Sequence, residues 1–297
     1  MSSKRICEKC GSYFVYWSFE EEIFICDECK NHFLIADQIE DYKYSVEMID
    51  FMLKEIPEYL YERSYIKKID LSAEPSDPFH APFVNRISSI SSRIGQITEL
   101  EELDISSNII HDIPPQIGNC QNLRDLYLGR NLIKEIPEEL GKLKTLDSLN
   151  LRYNIIESLP PGIGGLINLT WLSVPGNLLK TFPKEIGNLV KLETLLADNN
   201  RIKELPKEIG NLRNLKKLNL RNNLIESLPE EISLLTNLKS IELDNNKLKS
   251  LPRSLINLVN LEDFSISGNT DMISPPYDVA LKGLMAIKNW FAEAKMR

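Results

Sequence analysis

With 297 residues, 42% of them apolar and 26% charged, the composition excludes a chain disordered for want of apolar side chains. A formal net charge of −8 and a pI near 5.2 repel phosphate backbones, so broad electrostatic binding to nucleic acid is disfavoured. No window approaches the roughly 18 uncharged apolar residues of a membrane span, and MSSKRICEKC lacks an apolar signal core; no membrane association is expected, and the five cysteines are expected as thiols in the cytoplasm.

The first element, residues 1–42, is organised by cysteines. Cys7, Cys10, Cys26 and Cys29 have the spacing C-x2-C-x15-C-x2-C. Two residues between paired cysteines let both sulfurs reach one ion from a tight knuckle, and four thiolates complete a tetrahedral site. The intervening SYFVYWSFEEEIFI reads as two β-rich runs with a polar turn near Glu20–Glu22. The segment resembles a zinc ribbon. Structural Zn2+ is the expected cofactor; rubredoxin-like iron and thiol–disulfide exchange are the alternatives. Four thiolates leave no open position for water, so metal catalysis is not expected. The ion would supply folding energy that a roughly 40-residue unit lacks. Tyr13, Phe14, Tyr16 and Trp17, with Lys4, Arg5, Lys9 and Lys30, could stack bases, but Glu8, Glu20–Glu22, Asp27 and Glu28 offset the charge.

Residues 43–270 read as a repeat array. Steps of 23 from Leu100 land on Leu123, Leu146, Leu169, Leu192, Leu215, Leu238 and Leu261. One copy, LRDLYLGRNLIKEIPEELGKLKT, starts with the L-x-x-L-x-L form of a short strand entering a turn. Asn108, Asn131, Asn154, Asn177, Asn200, Asn223, Asn246 and Asn269 follow the strands. Their side chains both donate and accept, which suits a stacked ladder in buried turns. Prolines from Pro114 to Pro252 open a short helical turn on the convex side. Gly118, Gly141, Gly164, Gly187 and Gly210 are expected where the chain turns back. No copy can bury its apolar face alone, so roughly ten coils stack as an α/β solenoid with a parallel sheet. An earlier coil begins at LKEIPEYLYERSYI, a cap-like coil from about Lys43 precedes it, and the step from Ile66 to Leu100 is 34 because of an 11-residue insertion within 73–85. Residues 271–297 close the array. From Tyr277, the apolar spacing of Val279, Leu281, Leu284, Ile287, Trp290 and Phe291 predicts an amphipathic helix that lids the core or is offered to a partner.

The recurring NxIxxLPxxIGxLxxLxxLxL and the closing GNTDMISPPYDVALKGLMAIKNWF, within residues 53–291, resemble the Ras-group leucine-rich-repeat proteins. That group includes the Ras suppressor protein, the plant intracellular Ras-group family and the repeats that precede Roc–COR GTPase domains. The resemblance implies a leucine-rich-repeat horseshoe with its sheet on the concave face. It also implies a protein partner, such as a small GTPase or its regulator, and no catalytic residues. No nucleophile elbow, P-loop or dinucleotide fingerprint is present. The expectation is a non-catalytic interaction scaffold in small-GTPase-linked signalling, with no small-molecule substrate; the alternative is a nucleic-acid-associated adaptor acting through the ribbon. Residues between the core leucines should face the concave side. Tyr127, Arg130, Arg152, Tyr153, Trp171, Leu196 and Arg221 are the candidate partner-binding set, being rich in the residue types that concentrate interface energy.

Overall fold

The computed structural model describes residues 15–18, 23–26, 32–33, 45–47, 53–56, 58–62, 64–73 and 86–293. The expectations for Cys7, Cys10 and Cys29, and for residues 74–85 of the insertion, lie outside the described residues.

The N-terminal segment forms a small antiparallel sheet of β1 (Val15–Ser18), β2 (Ile23–Cys26) and β3 (His32–Phe33). Val15 pairs with Cys26 and Ser18 with Ile23, so the hairpin closes across the polar segment. The third strand has no sequence signal, being two residues long.

The second sheet has ten strands in chain order: β4 (Ser45–Glu47), β5 (Lys68–Asp70), β6 (Glu102–Asp104), β7 (Asp125–Tyr127), β8 (Ser148–Asn150), β9 (Trp171–Ser173), β10 (Thr194–Leu196), β11 (Lys217–Asn219), β12 (Ser240–Glu242) and β13 (Asp263–Ser265). Neighbours are parallel throughout. Leu103, Leu126, Leu149, Leu172, Leu195, Leu218 and Ile241 stand opposite one another across the ladder. Val46 pairs with Ile69, and Ile69 with Leu103 across the insertion. The cap-like coil therefore contributes a full strand. One continuous core results, with each strand leucine wholly buried.

The buried asparagines complete the turns. Asn154 accepts from Ile133 N–H at 3.0 Å, and its Nδ2 donates to the carbonyls of Leu128 and Leu151, each at 3.0 Å. The same bonds recur from Asn108 to Asn269. The amides bond to backbone of their own and adjacent coils, not to each other.

The convex side consists of five-residue 3-10 turns, not α-helices. A 23-residue coil leaves too little chain for more after strand, turn and return. In Glu138–Lys142, Leu140 N–H donates to Pro137 and Leu143 N–H to Leu140, both at 3.1 Å. Pro137 precedes the turn at φ −69° and ψ 143°. The glycines serve coil spacing and not the reversal expected of them. A Cβ on Gly187 would lie 2.6 Å from the Glu208 carbonyl oxygen, and one on Gly210 2.6 Å from that of Glu231. Neither has positive φ.

The C-terminal cap is two helices, α1 (Tyr277–Ala280) and α2 (Leu284–Glu293), separated at Gly283 with φ +89°. Ala280, Ile287 and Phe291 are buried in the core, and Tyr277, Leu284 and Trp290 pack against it. Arg253 donates to the Phe291 carbonyl at 2.9 Å, which ties α2 to the last convex turn. Of the two roles expected for this segment, these contacts are those of a lid. Among the described residues, no helix is long and apolar enough to cross a membrane.

Candidate partner-binding face

Each strand has an x-L-x pattern, so its first and third residues point away from the core, onto the open side of the sheet. The row of third residues runs Asp70, Asp104, Tyr127, Asn150, Ser173, Leu196, Asn219, Glu242 and Ser265. Tyr127 and Leu196 are large and half-buried, whereas Asn150 and Ser173 between them are small and buried. Trp171 rises from the parallel row one strand from Leu196. Together these residues rim a shallow floor across β7–β10. Arg152, two residues past β8, is exposed beside it.

The two ends of the face differ in charge. Toward the N-terminus lie Asp70, Glu102, Asp104 and Asp125. Glu102 is paired with Lys68 at 3.1 Å, while Asp104, among the described residues, accepts from Ser106 N–H, at 2.8 Å, and from its hydroxyl. Burial, seconded by Asp70 and Glu102, raises the Asp104 pKa above the usual aspartate value against the Ser106 bonds. Toward the C-terminus, Arg221 lies 3.2 Å from Asp244 and 3.5 Å from Glu242, and Lys217 3.2 Å from Glu242. Arg221, a member of the expected partner-binding set, is held by two carboxylates in a depression that Asp263 and Phe264 also line.

Arg130 and Tyr153 do not lie on the sheet face. By strand alternation they share the parity of Leu126 and Leu128, or Leu149 and Leu151, and would point inward. A left-handed backbone, φ 56° at Arg130 and 52° at Tyr153, turns them out to solvent at the rim. The position recurs every 23 residues at Ser107, Gly176, Asn199, Asn222, Asn245 and Gly268, all with positive φ. Sequence reasoning missed this row, although its run of Ser, Asn and Gly was the available signal. Asn222 donates to Asn199 at 2.9 Å and Asn245 to Asn222 at 2.8 Å, a second, exposed amide ladder. Of the thiolate set, only Cys26 falls among the described residues, at the end of β2.

A family model described as a leucine-rich repeat region matches residues 116–200 and 183–275, and another described as Leucine Rich Repeat matches 99–120. The chain is a leucine-rich repeat protein. Among solved structures, this leucine-rich repeat protein is similar to one from Leptospira interrogans, with 31% identity and a TM-score of 0.69, over 78% of this chain and 55% of that one. It is also similar to a TDR receptor, with 27% identity, a TM-score of 0.63 and coverage of 72% and 37%. The plant peptide hormone receptor RGFR1, in complex with RGF2, gives 25% identity, a TM-score of 0.58 and coverage of 73% and 40%. The chain therefore spans little more than half of the first of these and less than half of the others. No curated protein matches the sequence.

Proposed function

We propose that this chain is a non-catalytic scaffold that holds a protein or peptide partner on the concave sheet. The observation that carries this reading is the large–small–small–large row Tyr127, Asn150, Ser173 and Leu196, overlooked by Trp171. Asn150 caps its own turn by accepting from Arg152 N–H at 3.1 Å, whereas Tyr127, Trp171 and Leu196 are large, half-buried side chains on the open side of the sheet, a surface that a partner can cover. The similar receptor RGFR1 was solved with a peptide, RGF2. The test is a binding isotherm with a partner recovered by affinity purification from the native cell. Trp171→Ala and Leu196→Ala are each expected to weaken it by about 2 kcal/mol, the size of an interface hot spot; unchanged affinity in both removes the concave-face reading.

The partner class proposed from the Ras-group resemblance is a small GTPase or its regulator, in the cytoplasm. Retention of a purified small GTPase, with preference for one nucleotide state, tests it. We propose further that Cys7, Cys10, Cys26 and Cys29 hold a structural zinc ion. The four-thiolate donor set fits zinc, and the pairing of Val15 with Cys26 puts the two chain ends that lead to the C-x-x-C pairs at one end of the β1–β2 hairpin. About one zinc per chain, lost on Cys26→Ser, is the expected metal content; iron or no metal would overturn the assignment.

A further inference from the structure

We propose that the rim at Arg130 and Tyr153 is a second docking surface, for a partner segment that presents carboxylates beside large apolar side chains. It is separate from the concave floor and rests on different observations.

The first is the backbone. Five of the eight rim positions carry Asn or Gly, the types that most readily adopt left-handed φ, and a sixth carries the small Ser107; the consecutive Arg130 and Tyr153 are the bulky exceptions. Bulky residues persist in that region where the surrounding structure holds them there, and such positions cluster at functional sites. The second is the fate of the side chains. The Arg130 guanidinium sits 5.3 Å over the Tyr153 ring. That ring lies across Gly176, where an added Cβ would meet it, and remains 49% exposed. The Arg152 stem crosses Gly129, next to Arg130. Among the described residues, neither Arg130 nor Arg152 has a carboxylate partner, although the chain carries a net charge of −8. The third is what lies alongside. Two residues beyond Arg130 and Tyr153, Leu132 and Ile155 are 40% and 41% exposed. They belong to adjacent coils, as Ile155 N–H donates to Ile133 and Leu178 N–H to Ile156, each completing the same rung. Half-buried Ile109 and Leu178 extend this row on either side, before Arg201 interrupts it. Two unpaired cations beside an exposed tyrosine and exposed aliphatic side chains complement an acidic, apolar segment in both charge and surface.

The proposal is tested by selecting a displayed library of random peptides on the full chain. The expected winners combine Asp or Glu with Leu, Phe or Trp. They lose at least about tenfold in affinity for the double variant Arg130→Asn, Tyr153→Asn, and keep it for Trp171→Ala. Because Asn occupies this position in three other coils, the double variant is expected to melt no lower than the parent. Winners that are basic, that ignore the double variant, or that depend on Trp171 would overturn the proposal, as would a selection without winners. A lower melting temperature would make the Arg130–Tyr153 stack a fold element. Concentration-dependent self-association abolished by the double variant would give the rim to a second copy of this chain.

Discussion

Asn154 satisfies the buried Ile133 N–H and shares the Leu128 and Leu151 carbonyls with Asn131 and Asn177, so alanine in its place strands the N–H while the carbonyls keep their other donors. A stranded buried polar group costs about 1–3 kcal/mol, so Asn154→Ala is expected to lower unfolding free energy by about 1–3 kcal/mol in a urea titration. Asn168 is also an asparagine bonded to a carbonyl, that of Lys144, but at an exposed edge, and Asn168→Ala is expected to change stability by no more than about 0.5 kcal/mol. Asp104 supplies a pH signature. Its folded pKa is raised, chiefly by burial, so its contribution to stability is complete below the unfolded pKa and is lost as pH rises through the folded value. Asp104→Asn removes that loss. The variant is expected to melt above the parent near neutral pH, with the gap closing toward about pH 4, where unfolded aspartate titrates; a gap that persists in acid would point to packing instead. Cys120 is silent by comparison. Burial pushes its thiol up to about 12, and Sγ donates to the Ile94 carbonyl, so alkylation at mildly alkaline pH is expected only after global unfolding.

The elements differ in how plainly the sequence announces them. Leucines at a constant step dictate parallel strands in register, because any slip would carry a core leucine to the open face. The strands from β5 to β13 were legible for that reason. The first strand of the array, β4, was legible only as part of a cap-like coil, which has Lys43 where later coils have the leading leucine and keeps the pattern at Val46. The candidate face was legible where strand alternation holds, at Tyr127, Trp171 and Leu196. It was misread at Arg130 and Tyr153, because periodicity counts residues and carries no information on the left-handed step. The ion pairs of Arg221 were not legible for another reason: its carboxylate partners Glu242 and Asp244 stand on the next coil, 21 and 23 residues away. On the convex side, Gly187→Ala is expected to cost about 1–3 kcal/mol, since the Glu208 carbonyl leaves no room for a Cβ. In the cap, Phe291→Ala removes a core side chain while leaving the main-chain carbonyl that anchors Arg253, and about 3–5 kcal/mol is expected to be lost from the last coils. Tryptophan fluorescence reports it through Trp290, which packs edge-on to Phe291.

At the scale of the molecule, every coil between the first and the last bonds to the one before and the one after, and stability is a chain of neighbour terms. Damage to the cap should therefore fray the array from its C-terminal end, leaving the strands from β7 to β10 folded. The constant step has a kinetic side too. Parallel sheets ordinarily fold slowly because their strands meet across long stretches of chain. Here nearly every strand finds its partner 23 residues away, however many coils are stacked. That corresponds to a relative contact order of about 0.08, the range of small helical bundles. Such topology lets the array zip up coil by coil from any starting point, even as it emerges from the ribosome, with no coil waiting for a distant segment to be synthesised.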